Sequence, residues 1–345
     1  MQGVLENYIM NSLDDRFSIP LSILDLVMVN DNGTAGMSML NSLDLAQKAE
    51  QWGYRRYWLA EHNNISGVAS SATSVLIAFI AGGTNSIRVG SGGIMLPNHS
   101  PLIIAEQFGT LESLYPGRID LGIGRAPGTD RLTSIALRRK FSENSDDSEE
   151  GFPNDIGEIM DYFEGNSSNH INAIPGKGLS IPIWLLGSST FSANLAAKLG
   201  LPFAFAGHFA PDYLDLAINN YRKNFRSSIY LKKPYVLVSV NAVVAETDFD
   251  AQTLFTSIQI KALGLIRRKP NLLQPPTNNV DKMWNEFEKY SIDQRLKYSF
   301  VGSPQKVKSL LQNFLKTRLI DELMVVSHIY DHQARLRSYQ LLSSL

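Results

Sequence analysis

Along the chain, short apolar runs with strand-like spacing alternate with longer stretches whose apolar residues recur every three or four positions. The sharpest short run is Ile119-Asp-Leu-Gly-Ile-Gly124, in which Ile119, Leu121 and Ile123 alternate with Asp120, Gly122 and Gly124. Period two predicts a strand with one apolar face and one small or polar face. Pro116-Gly117 turns the chain into it, and a Gly/Pro-rich loop opening on Arg125 leads out. Before this run the pattern predicts strands over 19–29, 54–61 and 87–96, separated by helices over 42–53, 70–82 and 100–114. Ser42 and Ser100 read as helix caps, Pro101 as a first-turn proline and Gly53 as a stop. After it come a helix over 155–163, a strand over 181–186, a helix over 189–199, a strand over 202–206 and a helix over 211–226. A strand over 235–244, a longer helical insertion to about 298, a helix over 304–317 and a strand over 322–328 complete the pattern. Strand and helix thus alternate eight times. Alternation predicts a parallel sheet, and the eightfold repeat predicts closure: an α/β fold, a (β/α)8 TIM barrel with insertions after strands four and seven. An open doubly wound sheet is the alternative, but no Gly-x-Gly-x-x-Gly turn follows the first strand.

At 345 residues the chain fits one large barrel domain. Residues 1–17 lack sustained periodicity and read as an N-terminal extension, leaving 18–345 for the barrel. A formal net charge of −1 with scattered Lys and Arg leaves no footprint for nucleic acid. Cysteine is absent, which removes disulfides, thiolate metal sites and a thiol nucleophile, and suits a reducing compartment. No apolar run reaches the roughly 18 residues of a membrane span, and no signal-peptide core opens the chain. The expected location is the cytoplasm, off the membrane. The six histidines, at 62, 99, 170, 208, 328 and 332, show no ligand spacing, so no metal site is expected. The charged, serine-rich stretch 131–153 is long for a loop in a compact domain and reads as a lid or binding loop.

In a barrel of this kind chemistry belongs on the loops that follow the strands. Arg125 follows strand four on a backbone thinned by glycine. It reads either as a surface arginine or as a fixed guanidinium for a planar or phosphorylated ligand. Strand five runs through Gly187-Ser188-Ser189-Thr190-Phe191-Ser192 into a helix, which reads either as a cap or as an anion site. Because strands four and five are neighbours, Arg125 and that helix start would sit side by side and match a terminal phosphate. His62, at the end of strand two, reads either as a satisfied polar residue or as an acid or base. Gly90-Ser91-Gly92-Gly93 reads either as a packing kink or as a place where a flat ligand lies on the backbone.

Taken together, Tyr57-Trp-Leu-Ala-Glu-His62, Val89-Gly-Ser-Gly-Gly-Ile-Met-Leu-Pro97, Ala105-Glu-Gln, Pro116-Gly-Arg-Ile-Asp-Leu-Gly-Ile-Gly-Arg125 and the Gly-Ser-Ser before the strand-five helix resemble the bacterial luciferase-like flavin monooxygenases. Within them the likeness is to the single-chain, alkanal-monooxygenase-like subgroup, and it runs from about Ile19 to Asp331. The resemblance implies an FMN-dependent monooxygenase in which reduced flavin and O2 form a C4a-peroxy species that oxygenates a small organic substrate. A separate flavin reductase would supply the reduced FMN. By position, Arg125 with Ser188, Ser189, Ser192 and the main chain at Thr190 and Phe191 would hold the phosphate. Ser91, Gly92 and Gly93 would lie against the isoalloxazine, with a non-proline cis peptide at Gly92–Gly93, and His62 would be the active-site histidine. Three positions depart from the luciferase pattern: Asn63 replaces a second histidine, Gly124 a reactive cysteine, and Ala206 a hydroxyl that contacts the flavin. The family also implies a homodimer through the helices after strands two and three, whose apolar residues over 75–80 and 102–111 suit it. A flavin-binding protein without catalysis and an oxidoreductase of the same superfamily using the deazaflavin F420 are the alternative functions.

Overall fold

The structure, a computed structural model, describes residues 19–138, 151–166 and 170–345. The expected N-terminal extension and the middle of the expected lid lie outside the described residues. Eight parallel strands close into a barrel: β1 (Leu21–Asp25), β2 (Arg56–Leu59), β3 (Arg88–Ser91), β5 (Ile119–Gly124), β6 (Ile183–Gly187), β7 (Phe203–Phe205), β8 (Val236–Val244) and β10 (Glu322–Val326). Closure is made by β10, which pairs with β1 on one side and β8 on the other. Around the strands run α1 (Ala35–Gln51), α2 (Thr73–Gly82), α3 (Pro101–Leu114), α4 (Arg131–Arg138), α5 (Gly151–Glu164), α6 (Thr190–Leu199) and α7 (Leu214–Asn224). They are followed by α8 (Asp248–Ile266), α9 (Glu286–Arg295), α10 (Pro304–Lys316) and α11 (His332–Ser343).

The period-two reading of β5 separates two layers. Ile119, Leu121 and Ile123 join the apolar layer between barrel and helices together with Ile104, Ala105 and Phe108 of α3. Asp120, Gly122 and Gly124 face inward. At the floor of the barrel the Asp120 carboxylate accepts from Arg56 (2.7 Å) and Trp58 (3.1 Å), and Arg56 also donates to Glu322 at 2.7 Å. Arg88 also donates to Asp120, at 2.7 Å, so Asp120 and Arg56 each have a second partner of opposite charge in this buried network. Above the floor Trp58 and Trp184 meet edge to face, ring centroids 5.2 Å apart, and with Leu24, Ala204, Leu237 and Met324 they plug the barrel. Above that plug the strand ends line a cavity.

One strand is interrupted. The expected strand over 87–96 divides into β3 and β4 (Ile94–Met95), both paired with β5. The five steps from Val89 to Ile94 stand opposite the four from Ile119 to Ile123, so one extra residue bulges out between them. The Gly92–Gly93 peptide in that bulge is cis, at the position the resemblance implies. Glycine is required where β3 and β5 approach: a Cβ on Gly122 would lie 2.1 Å from the Ser91 carbonyl oxygen.

Four details depart from the sequence reading. Helix α1 starts at Ala35 with Thr34 accepting from the Met37 N–H, whereas Ser42 lies inside the helix and donates to Asp25 at 2.6 Å. Ser100 precedes α3 without a side-chain capping bond, Pro101 standing at its first position. A further parallel strand, β9 (Ser299–Gly302), pairs with the last turn-ward residues of β8 outside the closed barrel. The C-terminal helix α11, absent from the reading, is capped by Asp331, and from it Arg335 reaches the buried Asp25 at 2.8 Å.

Candidate active site

At the carboxyl ends of the strands lies a cavity of about 480 Å³. Its first wall is the junction of β5, β6 and α6. Arg125 follows β5, lies exposed at the cavity edge and stacks on Phe191, guanidinium carbon to ring centroid 4.2 Å. Among the described residues it has no hydrogen-bond or ion-pair partner. Ser188, Ser189 and Ser192 line the same wall. Ser189 is the N-cap residue of α6, yet its side chain makes no capping hydrogen bond. The first N–H groups of α6, which no intrahelical carbonyl can satisfy, and three hydroxyls therefore stand together beside an unpaired guanidinium. Gly187 makes this possible, since a Cβ there would lie 2.7 Å from Cβ of Ser192. Thr190 and Phe191 supply main chain at the helix start; their side chains do not line the cavity.

The middle of the cavity is floored by Gly92 and Gly93. Ser91 stands behind them and not in the lining: its hydroxyl donates to the Gly122 carbonyl (2.8 Å) and accepts from the Gly122 N–H (2.9 Å). That double contact bridges the gap the bulge opens in the ladder and holds the glycine pair in place.

The far wall carries three histidines, His62 after β2, His208 after β7 and His328 after β10. Nδ1 of His62 and Nδ1 of His328 are buried and have no hydrogen-bond partner among the described residues. Nδ1 of His208 lies 2.7 Å from the Ser239 hydroxyl, which itself donates to the Phe205 carbonyl at 3.0 Å. The hydroxyl proton being engaged, His208 must donate from Nδ1, which leaves Nε2 as an acceptor. Burial pushes the His62 pKa down, against the opposing pull of the Glu61 carboxylate. Burial, with the neighbouring His328, Arg295 and His62, pushes His208 down to about 3. Burial, Arg335, Lys261 and His62 outweigh Asp25 and push His328 down to about 3 as well. All three imidazoles are thus neutral at neutral pH. Asn241 of β8 donates to the His208 carbonyl (2.7 Å), while its Oδ1 is a third buried polar atom without a partner among the described residues.

Of the residues singled out in the sequence, the fold brings His62, Gly92, Gly93, Arg125, Ser188, Ser189 and Ser192 onto one cavity. His208, His328 and Asn241 were not among them. The two histidines each follow a barrel strand, a signal the strand ends contained; Asn241 lies inside an apolar run that reads as core.

A closed parallel barrel with its chemistry gathered at the strand ends is the class this geometry defines, and the chain belongs to the luciferase-like monooxygenase family, whose model matches residues 21–318. The chain is 53% identical over 336 residues to the uncharacterized protein YvbT of Bacillus subtilis (strain 168), covering 97% of this chain and 98% of that one. It is 51% identical over 325 residues to a luciferase-like monooxygenase of Escherichia coli (strain K12), with coverage of 94% and 96%. Among solved structures, apo-MsnO8 superposes with a TM-score of 0.87 at 35% identity, covering 94% of this chain and 98% of that one. Among the described residues no helix is long and apolar enough to cross a membrane, and no cluster of His, Asp or Glu could hold a metal ion.

Proposed function

We propose that the protein is an FMN-dependent monooxygenase that works in the cytoplasm on reduced flavin supplied by a separate reductase. The observation that carries this reading is the unpaired Arg125 beside the uncapped, hydroxyl-rich start of α6, on the same cavity as a glycine floor and neutral imidazoles. The residues fit the cofactor. Arg125, Ser188, Ser189, Ser192 and the N–H groups of Thr190 and Phe191 would hold its phosphate. Gly92 and Gly93, bare of side chains, would take the flat ring. The orphaned buried atoms of His62, His328 and Asn241 would find hydrogen-bond partners in a ligand.

When bound, reduced FMN would supply the two electrons and two protons needed for one atom of O2 to enter the substrate and the other to leave as water. His62, neutral because burial disfavours its charged form, accepts a proton at the free nitrogen. The exposed Val75, Phe79 and Ile103 on α2 and α3 support a homodimer through those helices.

The test is to mix anaerobic protein carrying photoreduced FMN with oxygenated buffer and follow the absorbance. The reading expects a transient that is neither reduced nor oxidised flavin and outlives anything seen with free FMN. Return to oxidised FMN at the free-flavin rate would overturn oxygenation and favour flavin holding alone.

A further inference from the structure

Among the described residues the cavity lining contains three cations, Arg125, Lys261 and Arg295, and neither an aspartate nor a glutamate. Two of the cations are accounted for. Arg125 belongs to the anion cradle at α6. The Lys261 ammonium, on α8, donates to the carbonyls of Ser66 (3.3 Å) and Asn271 and so ties α8 to the loops beside it.

Arg295 is different. It ends α9, and its guanidinium carbon lies 5.8 Å from the ring centroid of Phe209, face on to the aromatic. No described residue offers it a hydrogen bond or an ion pair. Around it the lining is apolar: Phe209, Ile258, Ala262, Leu265 and Leu296. A half-buried guanidinium without a counter-ion is costly, and a ligand anion is the group that would relieve it. The electrostatics agree, because burial lowers the Arg295 pKa with no carboxylate pulling it back, and its charge helps keep His208 neutral. Arg125 has its own hydroxyls and helix start, which already match the phosphate of a cofactor.

We propose that Arg295 binds the carboxylate of the substrate, so that the molecule oxygenated is an acid with an apolar body lying along α8, its anionic end on Arg295 and its reacting part toward His62. The planar, forked guanidinium suits a carboxylate with two parallel hydrogen bonds, and the Phe209 ring lies within cation–π distance of it. This deepens the oxygenase reading and depends on it only in calling the bound acid the substrate.

The full-length protein, with and without oxidised FMN, is titrated with straight-chain carboxylates from hexanoate to dodecanoate and with the alcohols and amines of equal length. The carboxylates are expected to bind at least about tenfold more tightly than either, the difference one charge-assisted contact supports. That preference should vanish in Arg295→Gln, survive in weakened form in Arg295→Lys, and persist in Arg125→Ala. FMN affinity should be unchanged in Arg295→Gln, whose thermal melting also reports that the variant is folded. A wild-type chain without the preference, a preference that survives Arg295→Gln, or one lost in Arg125→Ala instead would overturn the assignment. So would a loss of FMN affinity in Arg295→Gln, which would give the arginine to the cofactor. Failure of the protein to bind any flavin would sink the oxygenase reading alone, with the carboxylate comparison still deciding the role of Arg295.

Discussion

The two ends of the cavity are built in opposite ways. At the Arg125 end almost everything comes from one strand–helix junction, residues 187–192, plus one arginine after the adjacent strand, with half-buried main chain and hydroxyls, Ser192 fully buried, beside the exposed guanidinium. At the histidine end the groups come from the ends of β2, β7 and β10, from within β8 and from the insertion helices α8 and α9, and the imidazoles are kept neutral by burial. Both ends present an arginine on an aromatic ring, Arg125 on Phe191 and Arg295 on Phe209. One is set among hydroxyls and main-chain N–H groups, the other among hydrocarbon. The contrast teaches that contiguous residues can build a compact polar cradle, whereas a dispersed and mostly apolar wall has to be assembled from elements far apart in the chain.

Acid should break the symmetry most. A free imidazole titrates near 6.5, whereas His208 and His328 are both held down to about 3. Between those values the unfolded chain binds more protons than the folded one, so stability falls as pH falls. The slope is up to about 1.4 kcal/mol per pH unit for each imidazole. Urea midpoints measured from about pH 7 to about pH 5, above the range in which most carboxylates titrate, should show this fall. The double variant His208→Gln with His328→Gln should flatten it. An unchanged slope would assign the acid sensitivity elsewhere.

His62→Ala comes next. With its proton acceptor gone, oxygenated product should drop about 100-fold while hydrogen peroxide release rises, as expected for loss of a positioned base. FMN affinity should stay within about twofold of the wild type. Equal losses of binding and turnover would make His62 a structural residue.

The Arg125 end gives the smaller, purely binding effects. Arg125→Ala should weaken FMN about tenfold to a hundredfold in a fluorescence titration, since each factor of ten is about 1.4 kcal/mol. Unchanged affinity would remove the phosphate from this wall. Ser189→Ala should weaken FMN by only about threefold to tenfold, one neutral hydrogen bond. It should leave the melting temperature alone, because there is no capping bond to lose. A fall in stability of about 1 kcal/mol without change in FMN affinity would make Ser189 an ordinary cap after all.

Local pattern was sufficient for much of this molecule. The alternation in 119–124, the turn and stop residues and the eightfold repeat determined the barrel, because parallel strands and their covering helices carry their hydrophobic periods within a few residues. The same holds for the cradle at 187–192, where cap-type residues and helix start are contiguous, and for the glycines of the bulge, which announce a close approach of backbones. Local pattern sets the start of α1 too late, at Ser42, whereas Thr34 caps it, and it passes over α11, whose polar start hides a buried face with Ser338 beside Tyr339. Only the tertiary structure decided that His208, His328, Asn241 and Arg295 line one cavity with His62, and that among the described residues no carboxylate joins them there. The reason is physical: burial, neutral imidazoles and an uncompensated guanidinium are properties of distances between segments far apart in the chain, and such distances exist only once the barrel has closed.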